Sequence, residues 1–253
     1  MITRAIVRKP GESFAEGQTA SEGPTPNYEL ALQQHAQYVE AIRACGLDVI
    51  ELYANELYPD STFVEDVAIT TSRFAVLANP ASPTRSYEAK LMEPVIQEHF
   101  DKIYRIFEPG KLEGSDILKI ANHFYVGLTG RTNNEGAAQF KHVVEHNGYK
   151  CDIISVEHAT YLKQCVTYIG KNTILVNETF AKHPLFSQYE KIIVPAHEHY
   201  AINALKINEH LLIPEGYPET AALLQKAGFK YTHIALSEFQ KQDGALTCLS
   251  LRF

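Results

Sequence analysis

Asp243-Gly244-Ala245-Leu246-Thr247-Cys248-Leu249-Ser250-Leu251-Arg252-Phe253, the last eleven residues of the chain, alternate apolar and polar side chains in the manner of a β-strand. A strand over 245–251 would place Leu246, Cys248 and Ser250 on one face and Thr247, Leu249 and Leu251 on the other. Chain ends usually fray. A terminal strand that closes a sheet would instead hold a thiol rigidly, with the Asp243-Gly244 turn setting its register. A second stretch, Asp60-Ser61-Thr62-Phe63-Val64-Glu65-Asp66, is rich in acids and is echoed by Glu113-Gly114-Ser115-Asp116. A thiol beside several carboxylates suits a cationic substrate.

Outward from these segments, helical periods cover 28–45, 86–106, 133–146 and 218–227. Cys45-Gly46 and Ala227-Gly228 are helix stops, and Thr132 with Glu135 has the spacing of a capping box. Strand patterns fall at 5–8, 48–52, 62–70, 74–77, 117–120, 123–128, 152–156, 173–176, 191–194, 210–213, 230–235 and 245–251. Paired short strands, a helix and a further strand recur, the order of an α/β propeller-like repeat. No Pro/Gly/Ser-rich linker divides the chain.

The 253 residues are 45% hydrophobic, enough for a full core, and carry a net charge of −7. That balance argues against nucleic acid or an anionic membrane surface as partner. No apolar run approaches the roughly 18 residues of a membrane span. Met1–Lys9 has charges inside a short strand pattern and does not read as a signal peptide. Cys45, Cys151, Cys165 and Cys248 lack CxxC spacing, which fits a reduced, cytoplasmic protein. His197-Glu198-His199 has no third ligand at a recognisable spacing and reads as surface histidines. There is no phosphate-binding glycine loop and no GxSxG elbow. No metal or cofactor is expected.

Five segments carry a family resemblance: 58–66, Phe124-Tyr125-Val126-Gly127, Arg131-Thr132-Asn133-Asn134-Glu135-Gly136, Pro214-Glu215-Gly216-Tyr217-Pro218 and 248–253. In this order, spanning nearly the whole chain, they resemble the dimethylarginine dimethylaminohydrolase family of guanidino-group-modifying enzymes. The resemblance implies the pentein fold, five ββαβ-type units around a pseudo-fivefold axis, as one domain over residues 1–253 with the site at its centre.

It also implies roles. Cys248 would be the nucleophile, attacking the central carbon of a guanidinium to give a covalent adduct that water releases as a ureido product, citrulline. A lone cysteine is otherwise a buried core residue. Its placement beside a cation site predicts a partly accessible thiol, the most reactive of the four. Asp66 and Glu113 would hold the guanidinium, with Glu65 and Asp60 also on the substrate. On a regular strand the neighbours Glu65 and Asp66 point to opposite faces, so only one would reach a single site. Arg85 and Arg131 would grip the α-carboxylate. Gln18 and Gln242 fall at substrate-touching positions where the family has apolar residues. The main departure is Tyr161 in Tyr161-Leu162-Lys163, where the family places its acid/base histidine. Tyrosine titrates near ~10, histidine near ~6.5. Tyr161 could act as a hydrogen-bonding acid if paired with Glu113. His158, about 10 Å away on an extended chain, is the only neighbouring substitute.

The first reading is therefore a cysteine-dependent hydrolase of a guanidino amino acid, of methylarginine or arginine type. The rivals are a pseudoenzyme or binding protein that keeps the pocket with little turnover, and a sibling enzyme for a different guanidine. A homodimer is the common state of symmetric soluble enzymes.

Overall fold

The computed structural model describes residues 1–20 and 23–253. The chain opens with β1 (Arg4–Arg8), α1 (Tyr28–Ala44) and β2 (Asp48–Leu52). Four units of one pattern follow: two antiparallel strands, a helix, and a third strand parallel to the second. They are β3 (Ala68–Thr70), β4 (Ala75–Leu77), α2 (Pro83–Gln97) and β5 (Ile103–Arg105); β6 (Ile117–Ile120), β7 (His123–Leu128), α3 (Asn134–His146) and β8 (Lys150–Ser155); β9 (Val166–Gly170), β10 (Thr173–Val176), α4 (Glu178–Ala181) and β11 (Glu190–Ile193); and β12 (Leu205–Ile207), β13 (His210–Pro214), α5 (Pro218–Lys226) and β14 (Thr232–Ile234). A short α6 (Ser237–Gln240) leads to β15 (Leu251–Arg252). β15 pairs antiparallel with β1 through Ala5↔Arg252 and Ile6↔Leu251, so the two chain ends complete the fifth unit together. Among the described residues the strands form five three-stranded sheets.

Each helix exists to cover its sheet. α1 starts at Asn27, whose side chain accepts from Leu30 N–H, and stops at Gly46 with φ +89°. Its buried Ala31, His35, Tyr38, Val39 and Ile42 recur at helical spacing. α3 buries Ala137, Phe140 and Val144 in the same way.

Several expected boundaries move, for physical reasons. The helix expected over 86–106 ends at Gln97, and Ile103–Arg105 pairs parallel with β4. Ile96, Phe100 and Ile103 continue the 3–4 spacing past the helix end, which hid the change. Thr132 is not the cap of α3. Its hydroxyl donates to Asp116 Oδ2 at 2.7 Å, while Asn133 caps the helix by accepting from Gly136 N–H. The strands β9 and β12 were not expected, nor was β5.

Two corrections matter for function. The strand expected over 62–70 is a pair of 3₁₀ turns, Pro59–Thr62 and Val64–Val67, followed by the short β3. The strand expected over 245–251 is a 3₁₀ turn, Leu246–Leu249, followed by β15. Both segments lie where the chain turns from the axis into a first strand. There the residues are buried on all sides, so the alternating pattern does not mark a sheet face.

Candidate active site

Each unit places a 3₁₀ turn just before its first strand: Val64–Val67, Gly114–Asp116, Leu162–Gln164, Ala196–Ile202 and Leu246–Leu249. These turns pack against one another around the axis. The fourth and fifth are tied by Asn203, which accepts from Thr247 N–H and donates to its hydroxyl, both at 3.1 Å. A Cβ on Gly114 would overlap the Glu65 carbonyl oxygen, so glycine is required for the second turn to approach the first. Asp66, Glu113, Tyr161 and Cys248 all sit in or directly before such a turn.

Together they line a cavity of about 210 Å³. Its walls include every residue expected in the site except Glu65: Gln18, Asp60, Asp66, Arg85, Glu113, Arg131, Tyr161, Gln242 and Cys248. Glu65 turns the other way, to Arg252 Nη2 at 2.7 Å and Lys163 Nζ at 2.5 Å. His158 is exposed, at φ +60°, and does not line the cavity.

Cys248 is 2% exposed, not partly accessible as expected, and meets the cavity at its floor. Its N–H donates to Ala245 O at 3.0 Å. Burial pushes the thiol up to about 12, helped by Asp66 and Glu65 and opposed by Lys163. Arg85 is also buried. Its Nη1 donates to Asp66 at 2.7 Å, its Nε and Nη2 to Glu88, and its Nη2 to the carbonyls of Asp60 and Phe63. Burial would raise Asp66, but the nearby Arg85 and Arg131 guanidiniums outweigh it and hold the carboxyl below its usual range. Asp60 moves the opposite way, raised by burial against the pull of Arg85.

Glu113 is 2% exposed and accepts from Arg131 Nη1 at 3.1 Å. Burial, then Asp66, pushes its carboxyl up to about 7, against the pull of Arg131 and Arg85. Tyr161 is not bonded to Glu113; its hydroxyl donates to Asp243 O at 3.3 Å. Burial, with Cys248 next, raises this phenol well above its ordinary range. At the mouth, Gln18 N–H donates to Asp60, and its side chain to Ser82 and Thr84 hydroxyls. Gln242 Nε2 donates to Ala15 O, and its buried Oε1 has no hydrogen-bond partner among the described residues.

Such a cavity combines a thiol, a cluster of carboxylates suited to a planar cation, and two arginines paired with those carboxylates, Arg85 with Asp66 and Arg131 with Glu113. Four groups went unforeseen. Glu88 braces Arg85. Asp116 accepts from Leu162 N–H and from the Thr129 and Thr132 hydroxyls, holding the Tyr161 and Arg131 loops together. Lys163 and Arg252 stand inside segments already singled out, where only their charge in an apolar run could have marked them.

The model of the family N,N dimethylarginine dimethylhydrolase, eukaryotic, matches residues 17–199. Over 254 residues, covering both chains completely, the sequence is 35% identical to the N(G),N(G)-dimethylarginine dimethylaminohydrolase of Pseudomonas aeruginosa. The chain belongs to the dimethylarginine dimethylaminohydrolase family. A crystal structure of the Pseudomonas aeruginosa enzyme, a cysteine-to-serine mutant complexed with citrulline, superposes with a TM-score of 0.97, full coverage of both chains and 35% identity. A second family structure, a histidine-to-glycine adduct with S-methyl-L-thiocitrulline, also gives 0.97, 35% identity and full coverage. The ring of five ββαβ-like units is thus the family's pentein fold. No helix among the described residues is long and apolar enough to cross a membrane.

Proposed function

We propose that the protein hydrolyses a guanidino amino acid of arginine or methylarginine type to citrulline and an amine through a covalent adduct on Cys248. The observation that carries this reading is the convergence of a thiol, two guanidinium-matching carboxylates and two arginines on one cavity of the right size. Asp66 and Glu113 face the guanidinium, Arg131 and Arg85 the α-carboxylate. Gln18 stands exposed at the cavity mouth with the buried Asp60 and Gln242 on the wall, where the α-ammonium would lie. The cysteine-to-serine relative that holds citrulline supports the assignment.

Burial, with Asp66 and Glu65, keeps Cys248 a thiol at neutral pH. A guanidinium beside it favours the thiolate by direct charge. The thiol proton passes to ionised Glu113 as the thiolate attacks the guanidinium carbon; a C–S bond forms, and the C–N bond breaks as the amine leaves with the proton that Glu113 gives up. Water then adds to the same carbon of the thiouronium and surrenders a proton. The C–S bond breaks with its electron pair returning to sulfur, and the ureido product is released. Both proton transfers need a carrier that titrates near neutrality. Glu113, at about 7, meets that requirement, whereas the Tyr161 phenol is too basic to be ionised. We assign the proton transfers to Glu113 and a hydrogen-bonding role to Tyr161.

One observation favours a second reading, a binding protein with little turnover: the Tyr161 hydroxyl is spent on a backbone carbonyl. The histidine-to-glycine adduct of the relative supports retention of the covalent step in a site without that imidazole. The deciding experiment incubates the protein with arginine, methylarginines and agmatine, follows ureido product by colour assay, and weighs the intact protein. Citrulline formation together with a transient mass increment on Cys248 supports the hydrolase. Binding without either supports the second reading. Four unpaired cysteines fit a cytoplasmic setting. The whole chain acts as one domain in this proposal, and a homodimer is its expected state, to be read by light scattering.

A further inference from the structure

Behind the active-site cavity lies a second, larger one of about 460 Å³, whose lining includes Glu65, Gly114, Lys163, Thr247 and Arg252. The wall between the two is one residue thick. Glu65 faces the rear cavity and Asp66 the front, as do Gly114 and Glu113, and Thr247 and Cys248. Three charged side chains cross-link this wall. Glu65 Oε1 meets Arg252 Nη2 at 2.7 Å and Glu65 Oε2 meets Lys163 Nζ at 2.5 Å. Lys163 also donates to Gly114 O at 2.9 Å. Arg252 Nη1 donates to the carbonyls of Thr247 at 3.0 Å and Ser250 at 2.7 Å, on either side of Cys248, and to the Ser250 hydroxyl, which Tyr38 also bonds. Each arm therefore ends beside a residue of the front cavity.

We propose that Glu65, Lys163 and Arg252 form a positioning network that fixes the Cys248 turn against the Asp66, Glu113 and Tyr161 turns from behind and sets the charge around the thiol, without touching the substrate. Within the network Glu65 disfavours the Cys248 thiolate and Lys163 favours it to a lesser degree, so the two act on the thiol with opposite sign. Asp66, Tyr161 and Tyr200 also act on the thiol, and Asp60, Arg85, Glu113 and Arg131 share its cavity.

The proposal rests on Cys248 being the nucleophile assigned above, and its test is made independent of turnover. Glu65→Gln, Lys163→Met and the wild type are alkylated with neutral iodoacetamide at one pH, and each thiol is quantified by peptide mapping. Arginine affinity is measured by calorimetry. Removing the nearby cation lowers the reactive thiolate fraction, so Lys163→Met slows Cys248 alkylation by about threefold or more. Removing the anion quickens it in Glu65→Gln by a similar factor. Arginine affinity stays within about threefold in both. Opposite signs at Cys248, with Cys45, Cys151 and Cys165 unchanged, separate an electrostatic role from simple loosening, which would move all thiols the same way. Same-sign changes, or a hundredfold loss of arginine affinity in Glu65→Gln, overturn the proposal. Lys163→Met keeps the Glu65–Arg252 pair intact, so it decides alone if Glu65→Gln does not fold: unaltered Cys248 alkylation in Lys163→Met then refutes the idea. Absence of citrulline formation in the wild type overturns the hydrolase reading and leaves these alkylation results standing.

Discussion

Removing Arg131 should strip most of the protein's ability to tell arginine from agmatine, which differ only in the α-carboxylate. The two arginines at that end are not equivalent. A guanidinium has five N–H donors. Those of Arg85 are directed to Asp66, Glu88 and the Asp60 and Phe63 carbonyls, leaving one on Nη1 for a ligand. Among the described residues Arg131 makes one side-chain bond, to Glu113, and its side chain is 30% exposed. Its remaining donors are the ones able to grip a carboxylate with two parallel bonds. Hydrogen bonds to charged groups contribute about 1.5–3 kcal/mol each, reduced where water competes. A bidentate grip at a partly exposed arginine is then worth about 2–3 kcal/mol, or roughly 30–150-fold in affinity. Calorimetric titration of arginine and agmatine into wild type and Arg131→Ala measures it, with thermal melts to confirm folding. Arginine should weaken by that factor in the variant. Agmatine should hold or tighten, because a like charge beside a cationic ligand has been removed. Equal wild-type affinities for the two ligands, or equal losses in the variant, would refute the assignment.

Five further outcomes follow from the same geometry. Arg85→Ala should lose about 3–5 kcal/mol in urea unfolding, since it leaves the buried Asp66 and Glu88 carboxylates unpaired; a loss under about 1 kcal/mol would mean that Arg85 is not a structural cation. Glu113, raised in the folded protein to about 7 from an ordinary carboxyl value, stays protonated where the unfolded chain has ionised, so folding stability should fall as pH rises from about 4.5 to 7. Glu113→Gln should flatten that slope in a urea-unfolding series between about pH 6 and 7, leaving below it the part that comes from Asp116, itself raised by burial to about 6. Guanidinium pairs only with ionised Glu113, so arginine affinity should rise with pH up to about 7 and then level off, with proton release seen as buffer-dependent binding heat. Tyr161→Phe loses one long hydrogen bond to Asp243 O and should cost under about 1 kcal/mol while leaving turnover intact. A hundredfold fall in turnover would return proton transfer to the phenol. S-methyl-L-thiocitrulline, whose leaving thiol needs little protonation, should react faster than a methylarginine; equal rates would show that leaving-group protonation does not limit the reaction.

What could be read in the sequence was set by how local its causes are. β2, β6, β7 and β10 announce themselves because β-branched and aromatic residues cluster over four to six positions between turn signals. β12 has three residues, too few for a period, and β5 continues the spacing of the helix before it. The turns at 64–67 and 246–249 were read as strands because their burial comes from neighbouring units and the axis. Sequence carries no separate sign of that. Glu65 and Asp66 were nevertheless expected to diverge, and they do. A 3₁₀ turn has three residues per revolution, so neighbours point about 120° apart, which serves a thin wall as well as the 180° of a strand. What pattern reading could not supply was the destination of Glu65, because both of its partners, Lys163 and Arg252, are roughly a hundred or more positions away.

The placement of the reactive groups explains why so few local signals mark them. The unit repeats one position, the turn entering its first strand, and the cavity draws Asp66, Glu113, Tyr161 and Cys248 from that position in different units. The repeat supplies nearly equivalent backbone sites, and the residue type at each decides the chemistry. A change at one site, such as Tyr161, therefore leaves the Asp66 and Glu113 carboxylates of the cavity in place. Since Asp116 fixes the Tyr161 loop through Leu162 N–H and the Arg131 loop through Thr129 and Thr132, the frame around that position does not depend on the side chain it carries. In the proposed mechanism Glu113 serves both guanidinium binding and proton transfer, whereas α-carboxylate recognition by Arg131 and the hydrogen bond of Tyr161 lie apart from it. That is why affinity measurements on the Arg131 variant and turnover measurements on the Tyr161 variants test independent parts of the mechanism.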